Sequence, residues 1–204
     1  MHANSQLLFE KYAVPFFRAN QTVLEIGPDA IPSAYRDSVR ESGLRWETLE
    51  IRRVDRPTPL HTVNHVAEHE YSFPLRDDAY DVVLSGQVIE HVRKKWTWYR
   101  ELARVCRPGG LVITICPVTW PYHEDPVDCW RIYPEGMKAL CEEAGLEPVL
   151  VKCESAEPPP RLVGNRWFLS KQALRALMGQ EPFLSPLLPV LTRTLDTIAI
   201  ARKP

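Results

Sequence analysis

Apolar runs of strand length alternate with amphipathic helical stretches along most of the chain. This alternation is typical of βαβ units, in which helices join parallel strands and cover both faces of a sheet. It predicts an α/β fold. The predicted strands are TVLEI (22–26), WETLEI (46–51), TVNHV (62–66), YDVVLSG (80–86), LVITIC (111–116), EPVLVKC (147–153) and LDTIAIA (195–201). The predicted helices are SAYRDSVRES (33–42), WTWYRELARVC (96–106) and PEGMKALCEEAG (134–145).

Glycine and proline mark several boundaries of these elements. RPGG (107–110) is expected to end the second helix and to turn the chain into the fifth strand. From Glu154 the alternation stops: ESAEPPPR is a proline-rich link, and PFLSPLLPVL is apolar but contains three prolines. With 204 residues and 45% hydrophobic residues, the chain is expected to form one domain, 1–204.

Charge and cysteine usage narrow the classes of partner. The 25 Lys and Arg residues nearly balance the 26 Asp and Glu residues, so the net charge of −1 argues against nucleic acid as the partner. The five cysteines are scattered without the Cys-x-x-Cys pair of a zinc or redox site, so reduced, mostly buried thiols are expected. His123, Asp125 and Asp128 could converge on a metal ion, but their spacing matches no strong ligand motif, so no metal is predicted. No secretory signal and no 18-residue apolar run is present, so a cytoplasmic location is expected.

The first strand runs into a turn that contains one glycine, Gly27, and the second strand ends near Glu50. An acidic residue about 20 residues after such a glycine is where a doubly wound sheet binds a ribose diol. The pair therefore suggests a cofactor that contains a nucleoside. Asp29 in the turn would repel a diphosphate but tolerate the ammonium group of an amino acid, which disfavours a nicotinamide dinucleotide.

The segment WPYHEDPVDCWRIYP (120–134) follows the fifth strand, at the sheet edge where such folds bind ligands. It contains several side chains suited to recognition. We expect it to form a wall of the substrate site, and the alternative is a loop that packs on itself around an Asp128–Arg131 ion pair. The substrate-binding residues predicted here are Trp120, Asp128, Trp130, Arg131 and Tyr133, together with His91, which with Glu90 is also expected to brace a helix start.

Five blocks of the sequence, in order and spacing, resemble the class I S-adenosylmethionine-dependent methyltransferases of the "type 11" group. The blocks are VLEIGP, TLEI, FPLRDDAYDVVLSGQVIEHV, ELARVCRPGGLVITICP and YHEDPVDCWRIYPEGMKALCEEAGL, and they cover roughly 22–151. The resemblance implies a Rossmann-like, seven-stranded, mostly parallel sheet whose last strand is antiparallel. It also implies S-adenosylmethionine as cofactor and, since the last two strands are usually joined by a tight hairpin, an insertion at 155–194.

The resemblance implies roles for individual residues. Glu25, Gly27, Pro28 and Asp29 would border the methionine part of the cofactor, and Glu50 would hold its ribose. Glu68 or His69 would lie beside the adenine. Ser85, Gly86 and Gln87 would form the rim of the fourth strand.

The sulfonium methyl group is already electrophilic, so the main task of such an enzyme is to align a nucleophile with it. For a hydroxyl acceptor, His123 is the first candidate for the general base and Asp125 the second. We expect O-methylation of a sugar or another hydroxyl-bearing metabolite. Two alternatives stay open: a binding or scaffold protein that keeps the fold without turnover, and a nicotinamide-dependent oxidoreductase. Homo-oligomer formation and peripheral membrane contact also stay open.

Overall fold

The computed structural model describes residues 3–51, 63–158 and 194–204, and its centre is a seven-stranded sheet. The strands are β1 (Thr22–Ile26), β2 (Arg45–Ile51), β3 (His65–Ala67), β4 (Tyr80–Gly86), β5 (Cys106–Pro117), β6 (Glu147–Glu154) and β7 (Asp196–Arg202). The α-helices are α1 (Ala3–Leu8), α2 (Ala34–Ser38), α3 (Lys95–Val105) and α4 (Pro134–Glu143). A π-helical turn (Phe9–Ala13) and two 3₁₀ helices (Val14–Phe16 and Ile89–His91) complete the described elements.

The strand order is β3-β2-β1-β4-β5-β7-β6. Neighbouring strands from β3 to β5 pair in parallel, whereas β7 is antiparallel to both β5 and β6. This arrangement confirms the predicted α/β fold. The chain proceeds outward from β1 in both directions, so the carboxyl ends of β1 and β4 lie at the position where the strand order reverses. Folds of this kind bind their ligands at that position.

Two apolar layers cover the sheet, one on each face. On one face α3 and α4 contribute Trp98, Leu102, Met137 and Leu140 to a cluster with β1 and β4. On the other face, the N-terminal segment and α2 contribute side chains such as Phe9, Phe17 and Tyr35. Central strands buried on both faces read as near-continuous apolar runs, and β1 and β4 have the predicted bounds although they contain the buried acids Glu25 and Asp81.

Edges and irregularities account for the differences from the predicted elements. RPGG does not form a simple turn: Tyr80 pairs with Cys106 but Val82 pairs with Leu111, so residues 107–110 form a bulge within β5. Gly109 takes a φ of +76°, and its N–H donates to the carbonyl of Lys203 at 2.8 Å. The strand predicted at 62–66 begins only at His65.

The helices begin near their predicted starts and end early. The helix predicted over 33–42 ends at Ser38, because Val39 is extended (φ −96°, ψ 117°). In the helix predicted over 134–145, the last residue is Glu143, and Gly145 at φ +73° takes the left-handed conformation that commonly follows a helix end.

The N-terminal segment, for which the sequence analysis assigned no structure, is tied to the far end of the sheet. Asn4 is fully buried; its Nδ2 donates to Asp196 Oδ2 at 2.7 Å, and its Oδ1 accepts the N–H of Ala156 at 2.7 Å. The insertion predicted at 155–194 falls between β6 and β7, and its residues 159–193 lie outside the described residues, so it stays a prediction. None of the helices described is long and apolar enough to cross a bilayer.

Candidate functional site

The carboxyl ends of β1, β2 and β4 bring predicted cofactor residues together. Ile26 pairs with Leu49 of β2 and with Ser85 of β4. The next residues along these strands, Gly27, Glu50 and Gly86, therefore lie side by side at one edge. The Gly27 N–H donates to the carbonyl of Leu49 at 3.0 Å, which continues the pairing into the turn.

Both glycines at this edge are required by close packing within the protein. Gly27 has a φ of +66°, and a Cβ built on it would lie 2.6 Å from Val88 Cγ2. A Cβ on Gly86 would overlap the hydroxyl of Tyr35. Tyr35 is itself buried and its hydroxyl forms a short hydrogen bond with Ser5 of α1. The N-terminal segment thus reaches the edge of the sheet through Tyr35.

Glu25 is a buried acid on β1 whose contacts are internal. Its side chain is 1% exposed, and Oε2 accepts hydrogen bonds from Ser33 Oγ (2.6 Å) and Trp46 Nε1 (2.8 Å). Burial raises the pKa of Glu25 to about 7, and the charge of Asp29 adds to this effect. Ser33 also accepts the N–H of Arg36 and caps α2, so Glu25 fastens the turn after β1 to both α2 and β2.

The remaining residues of the predicted cofactor side lie along the same edge. Glu50 is partly buried, and its Oε1 accepts the N–H of Ile51 at 2.8 Å. In the turn after β1, Pro28 is partly buried and Asp29 is exposed. The two adenine candidates, Glu68 and His69, are exposed directly after β3.

The rim that follows β4 contains buried polar atoms that have no hydrogen-bond partner among the described residues. Ser85 Oγ and Gln87 Oε1 are two of them. Gln87 takes a φ of +60°; its N–H donates to the carbonyl of Ile115 at 2.8 Å and its Nε2 to Asp196 Oδ1 at 3.1 Å. Buried polar atoms without partners are rare in folded proteins, and they make this rim a candidate position for a ligand or water.

Three titratable side chains converge just beyond this rim, namely Glu90, His91 and His123. Glu90 is 1% exposed, neither of its carboxylate oxygens has a hydrogen-bond partner in the described structure, and burial raises its pKa to about 8. His91 Nε2 lies 3.9 Å from Glu90 Oε1, and the rings of His91 and His123 meet edge to face with centroids 5.0 Å apart. Burial also lowers the pKa of His91.

The loop between β5 and α4 is held to this cluster by backbone contacts. The Cys129 N–H donates to the carbonyl of Glu90 at 2.7 Å, and His91 Nδ1 lies 2.5 Å from the carbonyl of Val127. His123 Nδ1 lies 3.2 Å from the carbonyl of Pro121. These contacts bring two histidines together that are far apart in sequence.

Asp128 and Arg131 form an ion pair within the loop. Arg131 donates to both carboxylate oxygens of Asp128, at 2.5 and 2.7 Å, and to the carbonyl of Trp120 at 3.2 Å. The His123 N–H donates to Asp128 Oδ2 at 2.9 Å. The Asp128 side chain is 2% exposed, and its hydrogen bonds to Arg131 lower its pKa to about 2. The ion pair weighed as the alternative is therefore present, and it orders the loop that carries His123.

The other predicted substrate residues differ in what they contact. Trp130 donates to the carbonyl of Val92 at 2.8 Å, and Lys95 Nζ lies 3.0 Å from its ring centroid. Tyr133 is 63% exposed just before α4. Trp120 and Asp125 are partly buried. Of the residues in this region, Glu90 is the one that the sequence analysis did not select for the site; its signal was an acid directly before a histidine, just after a buried strand.

Comparisons with known proteins agree with this architecture. Residues 17–114 match the family described as "Methyltransferase domain". An uncharacterized methyltransferase of Mycobacterium avium is 33% identical over 98 residues, which cover 47% of this chain and 39% of that protein. The chain therefore spans about two fifths of the length of this curated relative.

Solved structures share the fold over nearly the whole chain. A SAM dependent methyltransferase from Archaeoglobus fulgidus matches with a TM-score of 0.61 at 18% identity, over 97% of this chain and 92% of that one. Phosphoethanolamine N-methyltransferase 2 of Haemonchus contortus, solved in complex with S-adenosyl-L-methionine, matches with a TM-score of 0.59 at 17% identity, over 98% of this chain and 52% of that one.

Proposed function

Because the chain carries a class I S-adenosylmethionine-dependent methyltransferase domain, we propose that it transfers a methyl group from S-adenosylmethionine to a hydroxyl group of a small molecule, a sugar or another hydroxyl-bearing metabolite. The observation that carries this proposal is the rim after β4. Ser85 and Gln87 offer buried oxygens without partners there, beside the edge formed by Gly27 and Glu50.

The donor set at this edge fits S-adenosylmethionine. Glu50 stands at the end of β2, where a carboxylate accepts hydrogen bonds from a ribose diol. Ser85 and Gln87 supply polar atoms without requiring an existing internal bond to break. S-adenosylmethionine, when bound, supplies an electrophilic methyl group. Glu25 has a structural part in this scheme, since its carboxylate already accepts from Ser33 and Trp46.

The acceptor side is formed by the loop that follows β5. His123 is our candidate for the general base; in support of this choice, its backbone N–H and the Arg131 guanidinium share the Asp128 carboxylate. With Nδ1 of His123 turned toward the carbonyl of Pro121, Nε2 is available to take the proton of an acceptor hydroxyl. A hydroxyl acceptor fits this arrangement better than an amine that is neutral when bound, because such an amine needs no base.

Titration calorimetry with S-adenosylmethionine and S-adenosylhomocysteine tests the proposal. We expect both to bind the wild type, and we expect Glu50→Ala to weaken binding at least tenfold, which corresponds to losing about 1.5–3 kcal/mol of charged hydrogen bonding. Glu142→Ala, which removes an exposed carboxylate on α4, is the matched control and should bind like the wild type. If the wild type binds neither compound, the chain is a scaffold and the enzymatic proposal is wrong.

Product formation tests the choice of acceptor. Release of S-adenosylhomocysteine is measured with a panel of sugars and other alcohols, and in parallel with a panel of primary amines. We expect turnover with a member of the alcohol panel and a lower kcat for His123→Ala on that substrate. Turnover confined to amines, with an unchanged rate for His123→Ala, would replace the hydroxyl acceptor with a nitrogen acceptor.

A further inference from the structure

We propose that Glu90, His91 and His123 form a binding site for a divalent transition-metal ion beside the end of β4. Each of the three residues offers one ligand atom, and these atoms lie within 4.8 Å of one another. Bonds of about 2.0–2.2 Å from one ion to nitrogen and oxygen place neighbouring ligand atoms roughly 3–3.5 Å apart. Side-chain movements on the order of 1 Å are therefore enough to close the site around an ion.

The Glu90 carboxylate supplies a second, independent observation. It is 1% exposed, and neither oxygen accepts a hydrogen bond from another residue that the structure describes. Burying a carboxyl group without a partner costs free energy that the fold must supply. A cation bound to these oxygens would provide the missing partner.

The two imidazoles are oriented as metal-binding histidines usually are. A ligating histidine commonly hydrogen-bonds through its other ring nitrogen to a carbonyl or a carboxylate, which fixes the ring. His91 Nδ1 lies 2.5 Å from the carbonyl of Val127, so Nε2 is turned toward Glu90. His123 Nδ1 lies 3.2 Å from the carbonyl of Pro121 and 3.4 Å from Asp128 Oδ2. These contacts leave the opposite nitrogen of each ring for an ion.

The donor types indicate the class of ion. Two imidazoles and one carboxylate suit Mn²⁺, Fe²⁺, Co²⁺ or Zn²⁺, whereas Mg²⁺ and Ca²⁺ prefer sites built from oxygen alone. Three protein ligands also leave coordination positions open, and an oxygen of a small molecule can bind there.

The consequence for catalysis rests on the proposed methyl transfer to a hydroxyl group. An ion at this position would hold the acceptor oxygen near the rim after β4 and lower the pKa of its hydroxyl. The nitrogen of His123 that would otherwise take the proton would then be a ligand. With the ion bound, the acceptor proton would therefore pass to water rather than to His123.

Titration of the metal-free 204-residue chain with Co²⁺ alone tests the site without any cofactor. We expect visible absorption of bound Co²⁺ that saturates at one ion per chain, and competition by Zn²⁺. Glu90→Gln and His123→Ala should each weaken binding at least tenfold. Glu124→Gln is the matched control, because this exposed carboxylate lies on the same loop and bonds to Tyr122 rather than to the cluster; it should bind Co²⁺ like the wild type.

Thermal melts separate loss of the site from loss of the fold. Co²⁺ should raise the Tm of the wild type and of Glu124→Gln, but not that of Glu90→Gln. If one variant fails to fold by circular dichroism, His91→Asn takes its place. A wild type that binds no Co²⁺, or equal binding by all variants, would overturn the site. Because S-adenosylmethionine is absent from this experiment, such a result would leave the proposed methyltransferase function to its own calorimetric test.

Discussion

The buried acid on β1 contributes to the dependence of the free energy of unfolding on pH, and Glu25→Gln should remove that contribution. Burial raises the pKa of Glu25 from 4.5 to about 7 in the folded state. A difference of about 2.5 between the folded and unfolded pKa values corresponds to about 3 kcal/mol. Gln imitates the protonated acid, and its amide oxygen can still accept hydrogen bonds from Ser33 and Trp46.

The free energy of unfolding should fall as the pH rises, because the folded protein holds the Glu25 proton more tightly than the unfolded chain does. Below pH 4.5, both the folded and the unfolded carboxyl groups are protonated, so the stabilisation is fully present. Between pH 4.5 and about 7, the unfolded chain loses its proton first, and the free energy of unfolding falls. Above about 7 the folded protein holds a buried carboxylate, and the loss is complete.

Urea unfolding of the wild type and of Glu25→Gln, each at pH 4.5 and at pH 8, measures the effect. We expect the variant to gain about 3 kcal/mol relative to the wild type between these two values. Glu142→Gln, an exposed residue of α4, is the control and should show no such gain. A difference between Glu25→Gln and the wild type that is equal at both pH values would show that folding leaves the pKa of Glu25 unchanged, and it would refute the reasoning.

Three further changes test the packing around the site. Gly27→Ala should destabilise the fold by about 1–3 kcal/mol in urea unfolding, because its Cβ would lie 2.6 Å from Val88 Cγ2 and its φ is +66°; adding Val88→Ala should restore only the part caused by the clash, and full restoration would refute the contribution of backbone strain. Asp128→Asn should cost about 2 kcal/mol near neutral pH, since the pKa of Asp128 falls from 3.8 to about 2 beside Arg131. The stabilisation in the wild type is present above pH 3.8 and is lost toward pH 2; limited proteolysis should cut the loop at 120–131 faster in Asp128→Asn, and an unchanged rate would show that other contacts order the loop. Asn4→Ala should cost about 1–3 kcal/mol in urea unfolding, because it leaves the buried Asp196 carboxylate and the N–H of Ala156 without its amide; a cost near zero would show that α1 adds little to the fold.

The central strands were predictable because strands that are buried on both faces consist mainly of apolar residues, which stand out in the sequence. The strands at 22–26 and 80–86 have the predicted bounds, since every position from Val23 to Ile26 and from Tyr80 to Ser85 is buried. The hydrophobic pattern is weaker where an element lies at the edge of the sheet or is partly exposed to solvent. The edge strand β3 has only three residues, and the bulge at 107–110 depends on contacts with Lys203, which is distant in sequence. Tertiary contacts of this kind leave no local periodicity.

The candidate site also has a part that was predictable from the sequence and a part that was not. Gly27 and Glu50 were predicted to meet because both follow strands, and parallel strands carry their carboxyl ends to one edge. The approach of His123 to Glu90 and His91 was not predictable from spacing. It depends on how the loop after β5 folds back, through the hydrogen bond from the Cys129 N–H to the carbonyl of Glu90.

The unsatisfied polar atoms of the rim after β4 have a physical cost that argues for ligands on both sides of it. Ser85, Gln87 and Glu90 all contain buried oxygens without partners among the described residues, and Gln87 also holds a left-handed backbone. Four of the seven buried polar atoms without partners among the described residues belong to these three residues, and such a concentration is typical of functional sites. Gln87 and Glu90 both lie in the short segment that follows β4, with two residues between them, so we expect a molecule that binds the first and a molecule or ion that binds the second to lie close together. Methyl transfer requires that proximity of donor and acceptor.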